Sequence, residues 1–135
     1  MNELTLEATV DNLHKVLEFV DKFLEEMECP TKTKMQIDVS VEELFVNIAQ
    51  YAYAPKTGQA TIRVETEKDP AAVSVTFIDR GVPYDPLAKP DPDVMLSAQD
   101  RQIGGLGIFM VKKSMSSMKY EYRDGRNILT IKKYI

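Results

Sequence analysis

The sequence is poor in the residues that build disulfides and zinc sites. Its 135 residues include one cysteine, Cys29, one histidine, His14, and no tryptophan. A single cysteine cannot close a disulfide within the chain, and such usage is typical of a reducing compartment. One cysteine and one histidine also fall short of the ligands of a standard zinc site. These absences exclude disulfide-rich secreted folds and zinc fingers.

Long apolar runs and an excess of positive charge are absent as well. No stretch approaches the roughly 20 apolar residues of a membrane helix. The N-terminus has no basic segment leading into an apolar run, as a signal peptide would. Lysine and arginine number 17 against 21 aspartates and glutamates, a net charge of −4, which makes nucleic-acid binding a poor hypothesis. The sequence therefore predicts a soluble, cytoplasmic protein that binds neither membranes nor nucleic acids.

Hydrophobic periodicity predicts both long helices and short paired strands. Asp124-Gly125 is a strong hairpin signal between the last two strands. The pattern is that of a single α+β domain over residues 1–135, a two-layer sandwich whose mixed, largely antiparallel sheet is covered on one face by three helices. The expected order is strand 4–10, helix 11–28, a second helix capped by Thr31 or Thr33 and ending at about Ala54, strand 59–67, strand 73–78, an irregular stretch 80–103, helix 104–118, strand 119–123 and strand 127–134.

The irregular stretch has no consistent hydrophobic period and holds four prolines, Pro83, Pro86, Pro90 and Pro92. An unstructured stretch of about 20 residues is uncommon inside a compact domain and often forms a functional lid. The sequence therefore predicts a lid at about residues 82–103.

The second helix carries a polar stripe between two apolar faces. Its members are Ser40, Glu43, Asn47, Gln50 and Tyr51. Glu43 and Asn47 are four residues apart and so are neighbours on the helix surface. Such a stripe is either a solvated face or the lining of a cavity, and the helix alone favours the solvated face.

Asp79-Arg80-Gly81 follows a strongly apolar strand end. In a simple turn, Gly81 would take a backbone conformation closed to other residues. In a binding site, Asp79 would accept hydrogen bonds at the bottom of a pocket, and Gly81 would let a ligand approach the backbone. The motif by itself leaves both interpretations open.

Gly104-Gly105-Leu106-Gly107 opens the third helix, where free N–H groups and the helix dipole suit a phosphate. The alternative is a flexible hinge. Arg101, just before these glycines, could pair with phosphate oxygens or be a solvated charge.

The order and spacing of these motifs resemble the N, G1 and G2 boxes of the GHKL ATPase superfamily. In detail, the chain resembles the anti-sigma factor serine kinases, and the resemblance spans essentially all of it. It implies the Bergerat ATP-binding fold. The segments that carry the resemblance are Val41–Tyr53, Asp79–Pro86, Ile103–Val111 and Gly125–Thr130.

The resemblance implies roles for residues on the second helix and for residues just after the predicted strand 73–78. Glu43 matches a general base or polarising group for the attacking hydroxyl, and Asn47 matches the ligand of Mg²⁺. That metal prefers oxygen ligands, keeps several waters and shares the nucleotide phosphates. Asp79 matches the acceptor for the exocyclic amine of adenine, with Gly81 packed near the base.

The remaining implied roles concern the phosphates and the last strand. Gly104, Gly105 and Gly107 match the hinge that cradles the phosphates, Arg101 would neutralise phosphate charge, and Thr130 matches a strand threonine near adenine. Relatives often carry histidine where this chain has Tyr51, so Tyr51 receives no role.

The implied function is a serine/threonine protein kinase that binds Mg²⁺ with ATP or ADP. It would phosphorylate an anti-anti-sigma (STAS-type) antagonist and sequester a sigma factor, and relatives commonly form homodimers. Residues 84–103 are expected to be mobile without nucleotide and partly ordered with it.

Two alternatives stay open. One is a nucleotide-gated binding module without significant kinase activity, against which the presence of Glu43 argues. The other is a stand-alone ATPase domain of a histidine kinase system, although 135 residues leave no room for a phosphoacceptor helix pair and His14 lacks an acidic neighbour. A gyrase-like ATPase is excluded by the missing transducer domain.

Overall fold

The computed structural model of the protein describes residues 2–88 and 105–135, and its helices and strands follow the predicted order. Short 3₁₀ turns at Val10–Asn12 and Pro86–Ala88 and a π turn at Ile48–Ala52 lie between the main elements. The main elements are β1 (Glu3–Glu7), α1 (Leu13–Glu26), α2 (Thr31–Asn47), β2 (Gln59–Lys68), β3 (Ala71–Asp79), α3 (Gly105–Ser114), β4 (Ser117–Arg123) and β5 (Arg126–Tyr134).

The five strands form one sheet in the order β1-β2-β3-β5-β4. Each neighbouring pair is antiparallel, so the described strands include no parallel pair and the sheet is not mixed. β3 lies at the centre, which explains its nearly unbroken apolar sequence. The predicted α+β sandwich is confirmed.

The hydrophobic core lies between the sheet and the three helices. Apolar residues at helical spacing on each helix face alternate residues of the strands. The buried members include Val16, Val20 and Leu24 of α1, Ile37, Val41, Leu44 and Phe45 of α2, Ile108 and Val111 of α3, Met115 just after α3, and Ile62, Val64, Val73, Val75, Phe77 and Ile131 of the sheet.

The opposite face of the sheet is polar. Thr5 and Thr61 share a hydrogen bond of 2.9 Å between their hydroxyls, and the Lys132 ammonium lies 3.0 Å from a Glu67 carboxylate oxygen. A sheet that packs helices on one side and meets water on the other is the usual antiparallel arrangement. In the part of the chain that the structure describes, no helix has the length and apolar character to cross a membrane.

Helix boundaries differ from the prediction at two places. α1 begins at Leu13 instead of residue 11, because a 3₁₀ turn contains Asp11, and Asn12 precedes the helix without capping it through its side chain. The α geometry of α2 ends at Asn47, and the wider π turn at Ile48–Ala52 replaces the helix expected to reach Ala54. That turn lies beside the cavity described in the next subsection.

Candidate functional site

A cavity of about 370 Å³ lies between the end of α2, the end of β3 and the first residues after β3. This volume is within the range typical of small-molecule sites. Most of its wall is apolar or aromatic, and three polar side chains stand in it, those of Asn47, Asp79 and Asn127. An apolar cavity with a few convergent polar groups is the usual form of a ligand site.

Asp79 is the last residue of β3 and is only 6% exposed. The backbone N–H of Gly81 and the side-chain amide of Asn127 each donate to its Oδ1 at 2.9 Å. The apolar strand thus places a hydrogen-bonded carboxylate in the cavity wall, as a pocket-forming role requires.

Gly81 is a glycine because two backbone segments meet there. A Cβ at this position would overlap the carbonyl oxygen of Ala52, and the next residue, Val82, donates its N–H to that same oxygen at 3.0 Å. The φ angle of Gly81 lies outside the left-handed region, so the turn interpretation, in which only glycine could adopt the backbone conformation, does not explain this residue. Close approach to the end of the π turn is the reason instead.

Asn47 stands in the cavity wall at the last position of α2. Its side-chain nitrogen is buried and has no hydrogen-bond partner among the described residues. A buried polar atom left unpaired costs about 1–3 kcal/mol. Exceptions of this kind call for an explanation, and a side chain kept for a ligand supplies one.

Glu43 lies one turn before Asn47 and is half-buried, whereas Glu42 is exposed. Burial raises the pKa of the Glu43 carboxyl above its ordinary value, and the Glu42 carboxylate adds to the rise. A Cβ on Gly107 would overlap the Glu43 carboxylate. The first turn of α3 is therefore seated directly against this carboxyl group.

The predicted lid and glycine hinge are only partly within the described residues. Gly105 and Gly107 lie in the first turn of α3, whereas Arg101 and Gly104 are outside the described residues, as is the lid beyond residue 88. At the near end of the predicted lid, residues 82–84 and 86 contribute to the cavity wall. Tyr51, an exposed residue of the π turn, also lines the cavity.

Thr130 is not brought to this cavity. It pairs with Thr76 across β5 and β3, and the two hydroxyls share a hydrogen bond of 3.0 Å on the polar face of the sheet. Because side chains alternate along a strand, Leu129 and Ile131 face the helices and Thr130 faces away. The expected position near a base is therefore wrong for Thr130.

Asn127 is a site residue that received no role from the sequence, although it lies within the segment Gly125–Thr130. It is 6% exposed and stands in the cavity wall on the same strand face as Leu129. The two-residue period of β5 carries the signal, since counting back from the apolar Leu129 and Ile131 places Asn127 on the helix side.

The donor set fits a magnesium nucleotide better than a protein-caged metal. Among residues 2–88 and 105–135, no group of three or more His, Cys, Asp or Glu side chains could hold a metal ion. Mg²⁺ is usually held by one or two side chains together with waters and phosphates. The side-chain oxygen of Asn47 is a ligand of the kind that Mg²⁺ takes, whereas its unpaired nitrogen is a donor that can bond a phosphate oxygen but cannot ligate the metal.

Comparisons with known proteins agree with this architecture. Residues 6–133 match the family described as the histidine kinase-like ATPase domain. The chain is 29% identical over 100 residues to the serine/threonine-protein kinase BtrW of Bordetella bronchiseptica, covering 74% of this chain and 70% of that protein. Its fold is similar to a chain in the crystal structure of the SiaB–SiaC complex from Pseudomonas aeruginosa, with a TM-score of 0.56, 16% identity, and coverage of 98% of this chain and 89% of that chain.

Proposed function

Because the chain belongs to the histidine kinase-like ATPase domain family, we propose that it is a serine/threonine protein kinase of the anti-sigma-factor type. It binds Mg-ATP in the cavity and phosphorylates a serine of an anti-anti-sigma, STAS-type protein, while it sequesters a sigma factor. The similarity to a serine/threonine-protein kinase supports the reaction. The similarity to a chain of a SiaB–SiaC complex supports a protein partner.

One observation carries this proposal. Asn47 and Asp79 share one cavity wall, and Glu43, with its raised pKa, lies one turn from Asn47 against the start of α3. A metal-ligating amide, a hydrogen-bond acceptor for a base and a carboxylate for proton transfer are thus close together. Phosphoryl transfer mainly requires positioning, Mg²⁺ and a group that orients the nucleophile.

Each described residue has a defined task in this proposal. Asp79 accepts a hydrogen bond from the exocyclic amine of adenine, and Asn47 holds the metal through its side-chain oxygen. The N–H groups at the start of α3, at Gly105 and Gly107, face the phosphates, where the helix dipole favours negative charge. When bound, Mg-ATP supplies the phosphoryl group and the positive charge that offsets the phosphates.

Glu43 accepts the proton of the incoming serine hydroxyl. The pKa of Glu43 is raised above that of an ordinary glutamate and so lies nearer to neutral pH, which suits a general base. Glu42 is exposed and points away from this position, so it serves as the matched control. The same helix therefore offers a reactive carboxylate and an inert one side by side.

The surface next to Glu43 is better suited to a protein hydroxyl as the attacking group than to a water molecule. Met35, Val39, Glu43 and Asn47 form one row at four-residue spacing along α2. Met35 is 62% exposed and Val39 60%, although both are apolar. A hydroxyl that reaches Glu43 along this row is bordered by apolar surface that a folded partner can cover.

The test compares Glu43→Gln with Glu42→Gln in phosphate transfer from radiolabelled ATP to the STAS-type protein that co-purifies from the native host. A positioned general base contributes about 10²–10⁴-fold, so Glu43→Gln should lose that much of the rate and still bind ADP. Glu42→Gln should match the wild-type protein. Transfer by Glu43→Gln at the wild-type rate would place the binding-module alternative first. An acid-labile phosphate on a histidine would instead favour the histidine kinase alternative.

A further inference from the structure

The side chain of Asn127 joins three separate parts of the cavity wall. Its Nδ2 donates to Asp79 Oδ1 and to the carbonyl oxygen of Val82, each at 2.9 Å. Its Oδ1 accepts from the backbone N–H of Tyr84 at 3.1 Å and from the hydroxyl of Tyr120. One amide thus links the end of β3, the segment that follows it, and β4.

The direction of this amide is fixed by its partners. If the oxygen and nitrogen were exchanged, the NH₂ group would face the N–H of Tyr84, and the oxygen would face the Asp79 carboxylate and the Val82 carbonyl. Both contacts would set like groups against each other. The Asn127 nitrogen therefore has to be the donor to Asp79.

This donor decides what Asp79 can offer to a ligand. Oδ1 of Asp79 already receives two N–H donors, from Asn127 and from Gly81. An oxygen that receives two N–H donors acts as an acceptor toward both of them. The two hydrogen bonds thereby fix the orientation of the Asp79 carboxyl group in the cavity wall.

We propose that Asn127 is the positioning residue for base selection, which holds Asp79 as an acceptor and so makes the cavity prefer a base with an exocyclic amino group over one with a carbonyl in its place. The inference rests on the proposed nucleotide site and adds to it a residue of the Gly125–Thr130 segment to which the resemblance gave no role. Through Val82 and Tyr84, the same amide also ties base selection to the position of the chain after β3.

The substitution Asn127→Asp removes the N–H donor and keeps the shape of the side chain. It keeps an oxygen for the N–H of Tyr84 and the hydroxyl of Tyr120, but it sets a second carboxylate against Asp79. Two carboxylates that share one site take up a proton at higher pH than either would alone. That proton restores an O–H donor to Asp79 as the pH falls.

The experiment measures binding of ADP and of inosine diphosphate, which has a carbonyl in place of the amine, by calorimetry at pH 8 and pH 6. At pH 8, Asn127→Asp should lose about tenfold or more of the wild-type ADP affinity, with the preference for ADP over inosine diphosphate reduced to the same degree. At pH 6, most of the difference from the wild-type protein should disappear. Asn127→Ala should show the reduced preference at both pH values, because it cannot take up the proton.

Controls separate this inference from the function on which it rests. Thr130→Val, on the opposite face of the same strand, should leave both affinities unchanged, and Asp79→Asn should remove the ADP preference at both pH values. If the wild-type protein prefers ADP and both Asn127 variants keep that preference at pH 8, the inference is wrong and the proposed function stands. If the wild-type protein binds neither nucleotide, the proposed function fails and the inference fails with it.

Discussion

The carboxylate of Glu43 occupies the space that a side chain at Gly107 would need. α2 and α3 therefore meet at a point where only glycine on one helix permits the carboxyl group on the other to keep its place. The contact involves the far end of a flexible side chain, so a larger residue would displace the carboxylate more readily than it would separate the helices. Function and stability should respond differently to a change at this contact.

We expect Gly107→Ala to reduce phosphate transfer by at least about tenfold while the protein stays as stable as the wild type. The added Cβ displaces the Glu43 carboxylate, whereas alanine is favoured over glycine within a helix by roughly 0.5–1 kcal/mol. Transfer assays and urea unfolding measure the two effects. In the background of Glu43→Ala, the same substitution should cost no further activity, and an equal loss in both backgrounds would contradict the contact.

The unpaired amide of Asn47 predicts a stabilising substitution that removes function. Asn47→Leu keeps a similar volume and eliminates a buried nitrogen without a partner, so the free energy of unfolding should rise by about 1 kcal/mol. The ADP affinity of this variant should become independent of Mg²⁺. Urea unfolding and calorimetry with and without a chelator check both effects. Gln50→Leu, at an exposed position nearby, should leave the free energy of unfolding unchanged. An Asn47→Leu protein that is less stable than the wild type would contradict the interpretation.

A pair of carboxyl groups between α1 and α2 predicts a pH-dependent stability. Asp21 and Asp38 both lie near the Lys34 ammonium, at 3.7 and 4.0 Å. One oxygen of each carboxyl is buried without a described hydrogen-bond partner. Burial, together with the neighbouring Asp21 carboxyl, raises the pKa of Asp38 to about 7, and Lys34 opposes the rise. We infer that the two carboxyls share a proton, which would satisfy both oxygens.

The sign of the pH effect follows from this raised pKa. In the unfolded chain Asp38 releases its proton near its ordinary pKa, whereas the folded protein keeps the proton up to about pH 7. Stability from this proton is complete below about pH 4 and is lost as the pH rises toward 7. Asp38→Asn should therefore match the wild-type protein at pH 4 and exceed its stability at pH 8. Urea unfolding across this range is the measurement, and a constant difference between the two proteins would exclude the shared proton.

The helix periodicity located α1 and α2 but could not show which polar faces meet. Asp38 and Glu42 form one polar edge of α2 in the sequence pattern, and the natural expectation is that both are solvated. The structure half-buries Asp38 and exposes Glu42, because Asp38 lies beside Asp21 of α1. A helical wheel describes a single helix, so a contact between two polar edges lies outside what it can predict.

The last strand shows the opposite case, in which local sequence was sufficient and the motif misled. Alternation along β5 places Asn127, Leu129 and Ile131 on the helix side, and this pattern is readable without a structure. Assigning Thr130 to the cavity from the motif overrode that alternation. The hydrogen bonds of Asn127, by contrast, depend on β3 and β4 and could not be read from β5 alone.

Because of the π turn at Ile48–Ala52, the shape of the cavity depends on the number of residues in this turn. A π turn contains about one residue more than an α turn, and each residue of a helix rotates the chain by about 100°. Deleting one residue from this turn would return it to regular helix and rotate Ala52 away from Val82, which donates to its carbonyl oxygen. Asn47 would stay in place while the opposite wall at Gly81 lost its support. The number of residues between Asn47 and Ala52 therefore belongs to the site as much as the side chains do.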